Sequence, residues 1–574
     1  MNNITKAILT TCSLLLASQT SAEIFEFVVK HKNNVLTPSA KQPYGQTIKQ
    51  KSFVIIEGKK TSNVTVEAKT QAEALLILKS REKFEDIEPV VKMELPKSPV
   101  ANSYNRGASV SNTSVTDEPN DTYFGDQREY LSAFSSGNNG WIDFKTGHGL
   151  VESWANMSSD TKLSRVGVAD SGFAPHPDIR FASESADFID FDNDAMNEAW
   201  MRDNPGCSPH GNGVSSAISA ITNNGIAISG AGKNVEVVPA RVLNCSFGGT
   251  QFKDSIYWFS GVSYVDQGID DISKPVDVIN LSLGGYVTGG CLDHVQEAID
   301  YAVEHGIPVV VAAGNSTINV ENHIPAGCDN VIVVGATDWM NERADFSNYG
   351  AGVDLTAQGI DILGAGLLDE TDENYVLWWE GTSNAAPLVT AAIANVKSEV
   401  DGLSVDEIKY LLTSTTRNYD EGTSCTDSVM SCGSGSLDAN AFLKAAKLYS
   451  TGNLSFIKHA LADNTECENT LFIEQLSAEI DICQLYQISF NALAQTKADI
   501  TYSLYRVVKG SELSVGATGV ELFIAEETNP SFYYPLTESD LAAFDYGFVT
   551  CTDGLCSNDI IPLALDMTII AQCP

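Results

Sequence analysis

Four polar side chains in the middle of the chain are of the types that acyl transfer needs. Asp170 ends the apolar run RVGVAD, and Asn315 ends the run VVVAAGN. His210 and Ser383 each stand just before a stretch of small residues with helical periodicity. Taken singly, each has an ordinary explanation as a turn, loop or helix-cap residue. Together they supply a nucleophile, a general base, an acid that orients the base, and an amide donor for an oxyanion.

The elements around these residues predict a doubly wound α/β domain with a mostly parallel sheet. Short β-branched runs alternate with helical patterns between about residues 160 and 400, as expected for strands buried on both faces. Active sites in such sheets lie at the carboxyl ends of the strands, where Asp170 and Asn315 stand. The predicted strands are RVGVAD, VEVVPARVL, VDVINLSL, IPVVVAAG and NVIVVGAT, and the predicted helices are VSSAISAITN, DHVQEAIDYAVEH and the stretch after Ser383.

The flanking regions differ in character from this domain, which we place at 116–450. Residues 1–22 combine Lys6, an apolar run and small residues before Ala22, which predicts a secretory signal peptide. Residues 23–115 read as strand, strand, helix, strand, followed by a linker rich in Ser and Asn. Residues 451–574 read as a separate β-rich domain without a chemical motif.

Composition narrows the possible partners. A formal charge of −39 argues against nucleic acid and against an anionic membrane surface. No run after the first reaches the ~18 apolar residues of a membrane span, so we expect a secreted, extracellular monomer. Residues 23–115 carry 14 Lys and Arg against 10 Asp and Glu, ahead of a strongly acidic remainder. This contrast predicts two surfaces that attract each other, with a chance skew as the alternative.

Over about residues 119 to 448 the chain resembles the subtilisin-like serine proteases, or subtilases. The matching stretches are VGVADSGFAPHPDI, HGNGV, VINLSLGG, VVVAAGN and GTSNAAP, and the order Asp, His, Ser is the one known for that family. The resemblance implies an endopeptidase that cleaves protein or peptide substrates. Its implied triad is Asp170, His210 and Ser383, with Asn315 as oxyanion donor. Ser282, Leu283 and Gly284 match the family's strand that pairs with substrate and lines the pocket for the residue before the cut.

The same resemblance implies how the enzyme matures and what stabilises it. Residues 23 to about 100 resemble the family's propeptide, an intramolecular chaperone and inhibitor that is removed by self-cleavage.

Similarity to extracellular bacterial subtilases implies three disulfides and a calcium ion in the loop SADFIDFDNDAMNEAW, whose alternating aspartates suit calcium. A merely acidic surface loop is the alternative. The implied pairs are Cys207–Cys245, Cys291–Cys328 and Cys425–Cys432, and the implied ligands are Asp190, Asp192 and Asp194. Beyond Cys12 the chain has an odd number of cysteines, which leaves one C-terminal thiol free or bridging chains.

Several positions depart from the family pattern. Asn212 replaces a threonine, Ser215 and Ser216 replace alanine and glycine, Gln358 replaces a proline, and Asn384 replaces a methionine. None of these changes removes a catalytic group. They nevertheless raise an alternative function, a catalytically silent relative that binds peptides or a partner surface. The complete set of reactive side chains favours the enzyme.

Overall fold

The structure is a computed structural model that describes most of the chain between residues 119 and 450 and parts of the regions on either side. The predicted signal peptide lies outside the described residues, and the chain divides into two compact units between Ser450 and Thr451. The described residues are 23–31, 48–56, 59–68, 70–79, 84–91, 93–94, 119–132, 134–137, 140–143, 147–196, 209–244, 247–249, 251–366, 374–419, 422–426, 429–450, 472–477, 486–493, 500–508, 520–527, 534–536, 544–552, 555–556 and 561–563.

A seven-stranded sheet forms the centre of the first unit, and all of its strand pairs are parallel. All five predicted strands lie in it, which confirms the α/β fold class. Their side chains are almost all buried, as β-branched runs covered on both faces should be. In sheet order the strands are Leu355–Gln358, Ile332–Thr337, Val309–Ala312, Val278–Leu281, Ser164–Asp170, Val235–Arg241 and Ala186–Asp187.

Helices and short antiparallel ribbons surround the sheet. The helix that carries Ser383 is buried nearly all round because alanines dominate its faces, and the helix that begins at His210 packs against it. The helices are Phe124–Leu131, Leu150–Ala155, His210–Ser219, Phe252–Phe259, Asp293–Glu304, Thr382–Glu399, Val405–Ser414 and Ala439–Ser450, with 3-10 turns at Val265–Gln267, Val320–Asn322 and Ser424–Thr426. The ribbons pair Phe134–Gly137 with Gly140–Asp143, Gly285–Tyr286 with His323–Ile324, and Ile362–Ala365 with Val376–Trp379.

The N-terminal region forms a four-stranded antiparallel sheet with the helix Gln71–Lys79. In sheet order its strands are Ile48–Ile56, Lys59–Ala68, Glu23–His31 and Phe84–Pro89. The sequence prediction missed the strand Lys59–Ala68, because polar residues interrupt its apolar pattern. Val64 and Val66 face the core of this small unit, whereas Asn63 on the opposite face donates to Asp254 at 2.8 Å.

This N-terminal unit packs on two helices of the large domain, Phe252–Phe259 and Asp293–Glu304. Lys30 forms an ion pair with Glu297 at 2.6 Å. The carboxylate of Glu88 accepts hydrogen bonds from the backbone N–H groups of Asp293 and His294 at 3.2 Å each, and contacts the His294 ring. Glu88 therefore satisfies N–H groups that the start of a helix leaves without partners.

A short strand continues from the N-terminal unit towards the large domain. Met93–Glu94 pairs antiparallel with Phe247–Gly248. The side chain of Met93 is fully buried within the main hydrophobic core of the large domain, and Val91 packs against the same core. The end of the N-terminal unit is thus held by main-chain pairing as well as by apolar burial.

Disulfides join Cys291 to Cys328 and Cys425 to Cys432, with Cα atoms 4.8 and 5.0 Å apart. The third predicted pair, Cys207–Cys245, lies outside the described residues. No helix among the described residues has the length and apolar character to cross a bilayer. The second unit is β-rich, as expected, with strands at Phe472–Ser477, Tyr486–Leu493, Ile500–Val508, Val520–Glu527, Tyr534–Leu536, Phe544–Thr552, Leu555–Cys556 and Ile561–Leu563.

Candidate active site

Asp170 and His210 form a buried pair at the carboxyl end of the central strand. Asp170 is fully buried as the last residue of Ser164–Asp170, and both of its carboxylate oxygens lie 2.9 Å from Nδ1 of His210. Its Oδ1 also accepts from the backbone N–H of Ser171 at 2.7 Å. A carboxylate in this position accepts a hydrogen bond from Nδ1–H of a neutral imidazole, so the lone pair remains on Nε2. This tautomer leaves Nε2 of His210 able to accept a proton.

The two atoms that would exchange a proton are both unengaged. Nε2 of His210 and Oγ of Ser383 are buried, and neither has a hydrogen-bond partner among the described residues. Catalytic hydrogen bonds are often long in substrate-free sites and shorten when substrate binds. Trp379 packs edge-on against the His210 ring, with centroids 6.0 Å apart. The sequence analysis did not single out Trp379, because a tryptophan in a short ribbon carries no signal of that contact.

Ser383 is the second residue of its helix, where backbone N–H groups lack intrahelical acceptors. Pro387 lies one turn later and has no N–H, so the Ser383 carbonyl loses its usual helical donor. Oγ of Ser282 takes that place and donates to the Ser383 carbonyl at 3.0 Å. Asn280 in turn donates to Oγ of Ser282 at 2.9 Å. The segment predicted to bind substrate is therefore fixed to the helix of the predicted nucleophile.

The amide of Asn315 is held in one orientation by Thr382. Its Oδ1 accepts from the backbone N–H of Thr382 at 2.9 Å and from the Thr382 hydroxyl at 3.0 Å. The hydroxyl oxygen accepts in turn from the N–H of Gly314 at 3.0 Å. Because the oxygen of the amide is occupied on the helix side, Nδ2 is left to face the space beside Ser383.

His323 lies beside Gly284, one of the predicted pocket residues. A Cβ placed on Gly284 would meet the His323 ring at 2.0 Å, and one placed on Gly314 would meet it at 2.7 Å. The ring is 7% exposed, and Nδ1 has no partner in the described part of the chain. Burial lowers the pKa of His323 to about 4, so the ring is neutral at pH 7. Sequence reasoning missed this residue, since only the packing of two glycine segments reveals it.

Two of the departures near His210 have defined structural roles. The Asn212 side chain accepts from the backbone N–H of Ala174 at 2.8 Å and donates to its carbonyl at 3.1 Å. It thus ties the His210 helix to the loop that follows Asp170. Ser216 accepts from the N–H of Ala365 at 2.9 Å. Nothing in the structure explains Ser215, whose hydroxyl is buried and has no partner among the described residues.

Gln358 contributes a backbone donor that the usual proline lacks. Its N–H donates to Nε2 of His148 at 2.9 Å, and Nδ1 of His148 lies 3.2 Å from the carbonyl of Leu437. These two contacts require a neutral ring with its proton on Nδ1. Burial lowers the pKa of His148 to about 4, although the bond to Leu437 opposes that shift.

The structure does not bring Asp190, Asp192 and Asp194 together as a set of three. Within the described residues, the one acidic trio whose ligand atoms lie within 4.8 Å of one another is Asp86, Glu88 and Asp293. In the predicted loop, Asp190 pairs with Arg241 at 2.8 Å. Asp192 and Asp194 each use one oxygen to accept a backbone N–H two residues later. Each of the three predicted ligands keeps a second oxygen without a described partner.

Comparison of the sequence with known proteins identifies proteases as its relatives. Residues 161–435 match the subtilase family, Peptidase_S8. The chain is 32% identical over 364 residues to the extracellular basic protease of Dichelobacter nodosus, covering 57% of this chain and 56% of that protein. It is 35% identical over 306 residues to the extracellular protease of Xanthomonas campestris pv. campestris, covering 49% and 51%. Against subtilisin DY of Bacillus licheniformis it is 33% identical over 258 residues, covering 44% and 84%. The chain thus spans about half the length of the first two relatives.

Proposed function

Because the chain belongs to the subtilase family, we propose that it is a serine endopeptidase that hydrolyses peptide bonds through an acyl-enzyme. One observation carries this proposal: a buried carboxylate accepts from Nδ1 of His210, while Nε2 of His210 and Oγ of Ser383 have no hydrogen-bond partner among the described residues. That arrangement has a base and a nucleophile ready for substrate. Ser282, Leu283 and Gly284 would pair with the substrate backbone.

The proposed reaction assigns a step to each side chain. Oγ of Ser383 attacks the scissile carbonyl carbon as His210 takes its proton, and Asp170 stabilises the imidazolium. The oxyanion receives hydrogen bonds from Nδ2 of Asn315 and from the Ser383 N–H at the positive end of the helix. His210 then protonates the leaving amine, and water releases the acyl group by the reverse sequence.

The N-terminal unit is proposed as an inhibitory propeptide that is removed by self-cleavage. Support comes from its ion pair and hydrogen bonds to the two surface helices and from the buried Met93. The disulfides and the names of two relatives support an extracellular site of action.

Labelling and processing together test the proposed activity. A fluorophosphonate should label Ser383 of the processed protein, and Ser383→Ala should remain unlabelled and keep residues 23–115 attached. In subtilisin itself, loss of the nucleophile lowers kcat by roughly 10⁶. A processed N-terminus that forms in Ser383→Ala without added protease would contradict self-cleavage. An unlabelled parent protein, beside a reactive control protease, would favour the silent binding relative.

Calcium is proposed for the loop at Asp190, Asp192 and Asp194, whose remaining carboxylate oxygens are hard ligands of the kind calcium prefers; because the three do not converge in this structure, binding would have to draw them together. Bound calcium would stabilise the folded chain by mass action and take no part in proton transfer. Adding a chelator should therefore lower Tm, and Asp192→Asn should reduce that difference. An unchanged Tm in the parent protein would exclude a stabilising ion.

A further inference from the structure

The side-chain amide of Asn384 is a buried donor for which the described part of the chain offers no acceptor. Asn384 follows Ser383 in the first turn of the helix and is 2% exposed. Its Nδ2 has no hydrogen-bond partner within the part of the chain that the structure describes. Buried amide groups almost always find partners, and exceptions in native proteins often mark functional groups. An apolar side chain would meet the packing requirement here without leaving a donor unsatisfied.

The position of this donor is defined by Gly381. A Cβ on Gly381 would lie 3.0 Å from Oγ of Ser383, 3.4 Å from Nδ2 of Asn315 and 3.6 Å from Nδ2 of Asn384. Gly381 has φ 150°, and glycine leaves this space open. The nucleophile and two side-chain amide donors therefore surround one small space.

The two amides differ in what holds them. Asn315 is oriented by Thr382, which occupies its Oδ1. Asn384 is held at its backbone, whose N–H donates to the Gly381 carbonyl at 3.0 Å, and its side chain is buried. Two amide donors beside one nucleophile can stabilise negative charge that appears only during reaction.

We propose that Asn384 is a catalytic residue, a second side-chain donor to the oxyanion of the tetrahedral intermediate. This inference rests on the proposed function. As the bond from Ser383 Oγ to the carbonyl carbon forms, the π electron pair moves to the carbonyl oxygen and the hydroxyl proton moves to His210. The oxygen then accepts from Asn315, Asn384 and the Ser383 N–H. When the intermediate collapses, the C–N bond breaks and His210 protonates the amine, while Asn384 keeps both of its protons.

The test replaces the donor with a side chain of similar size. Asn384→Leu should lower kcat on a peptide anilide by roughly 10–10², with KM nearly unchanged, since the lost bond is made only in the transition state. The inhibition constant of a peptide aldehyde, which forms a tetrahedral adduct with the serine, should rise by about the same factor. All rates are expressed per active site that reacts with a fluorophosphonate, so unfolded protein does not contribute. Asn384→Ala provides a second variant if the leucine does not fold.

Asn395 supplies a matched control on the same helix. It is 1% exposed, and both ends of its amide are bonded, to Lys233 at 3.0 Å and to Ala231 at 3.1 Å. Asn395→Leu should lower Tm and leave kcat per active site unchanged. If the folded Asn384 variants keep kcat within about twofold of the parent, or change only KM, the assignment is wrong. Ser383→Ala separates the two levels: activity that survives in it rejects the proposed function itself.

Discussion

At the level of single residues, the site combines side chains that are held firmly with atoms left without partners. Asp170 and Thr382 form hydrogen bonds that orient His210 and Asn315. The atoms that would touch substrate, Nε2 of His210 and Oγ of Ser383, have none among the described residues. Reactive groups that need no rearrangement at the moment of reaction are the basis of electrostatic preorganisation. Polar groups thus hold the supporting atoms of His210 and Asn315 in place, and the atoms that would react remain available to substrate.

The His323 ring is expected to limit the size of the residue before the cut. It lies against Gly284 and next to Gly314, so it fills space between two glycine segments near Asn315. His323→Ala should raise kcat/KM for substrates with a large apolar residue at that position by about 10-fold relative to those with alanine, because a larger side chain fills the new space. The measurement is a series of peptide anilides that vary only this residue.

His305, an exposed residue directly after the helix Asp293–Glu304, provides the control for that series. His305→Ala should leave the preference of the enzyme unchanged. A His323→Ala enzyme with the parent preference would show that the ring does not border the pocket.

At the level of elements, Gln358 shows how one departure from the family pattern is compensated. Its N–H bonds to Nε2 of His148, which connects the edge strand Leu355–Gln358 to the segment before the helix Leu150–Ala155. Gln358→Pro removes that donor and leaves a buried nitrogen without a partner. We expect a loss of about 1–3 kcal/mol in the free energy of unfolding.

Gln358→Ala is the matched variant, because it keeps the N–H and loses the same side-chain contact with the Ile360 carbonyl. Urea titration of both variants measures the difference. Equal stability of the proline and alanine variants would mean that the bond to His148 contributes nothing. A difference of the expected size would assign the stabilisation to the backbone donor.

The elements that could be predicted from sequence are those whose pattern is local. A continuous apolar run that ends in Asp170 or Asn315 places its last residue at the carboxyl edge of a parallel sheet, so the candidate site could be assembled from strand ends. The strand Lys59–Ala68 escaped prediction because its polar residues contact another part of the chain. The contacts of Trp379 and His323 could not be predicted either, because they join segments that are far apart in sequence.

At the level of the whole molecule, the N-terminal unit is held by contacts that depend on protonation. Burial raises the pKa of Glu88, but its hydrogen bonds from His294 and Asp293 outweigh that effect and lower it below 4.5. Burial lowers the pKa of His294 below 6.5, and the partly opposing Glu88 contact does not restore it. A carboxyl group with a lowered pKa stabilises the folded state at pH values above its usual pKa. This stabilisation is lost as the carboxylate is protonated in acid. The contact with Glu88 acts to raise the pKa of His294, so His294 opposes this acid dependence instead of adding to it.

Because Glu88 receives these hydrogen bonds only while the unit is docked, the N-terminal unit should loosen from the two surface helices as pH falls through 4.5 and below. The Ser383→Ala precursor keeps the two parts in one chain, and hydrogen exchange of Glu23–His31, corrected for intrinsic rates, reports the loosening. Glu88→Gln should speed exchange at neutral pH and flatten its pH dependence. Lys30→Gln removes the ion pair with Glu297 and the attraction of Lys30 to Glu88 and Asp86. Glu88 keeps its bonds to His294 and Asp293, so this variant should speed exchange and keep the pH dependence. If Glu88→Gln retains the parent's pH dependence, the Glu88–His294 contact does not control release, and the acid response must come from the net charge of −39 instead.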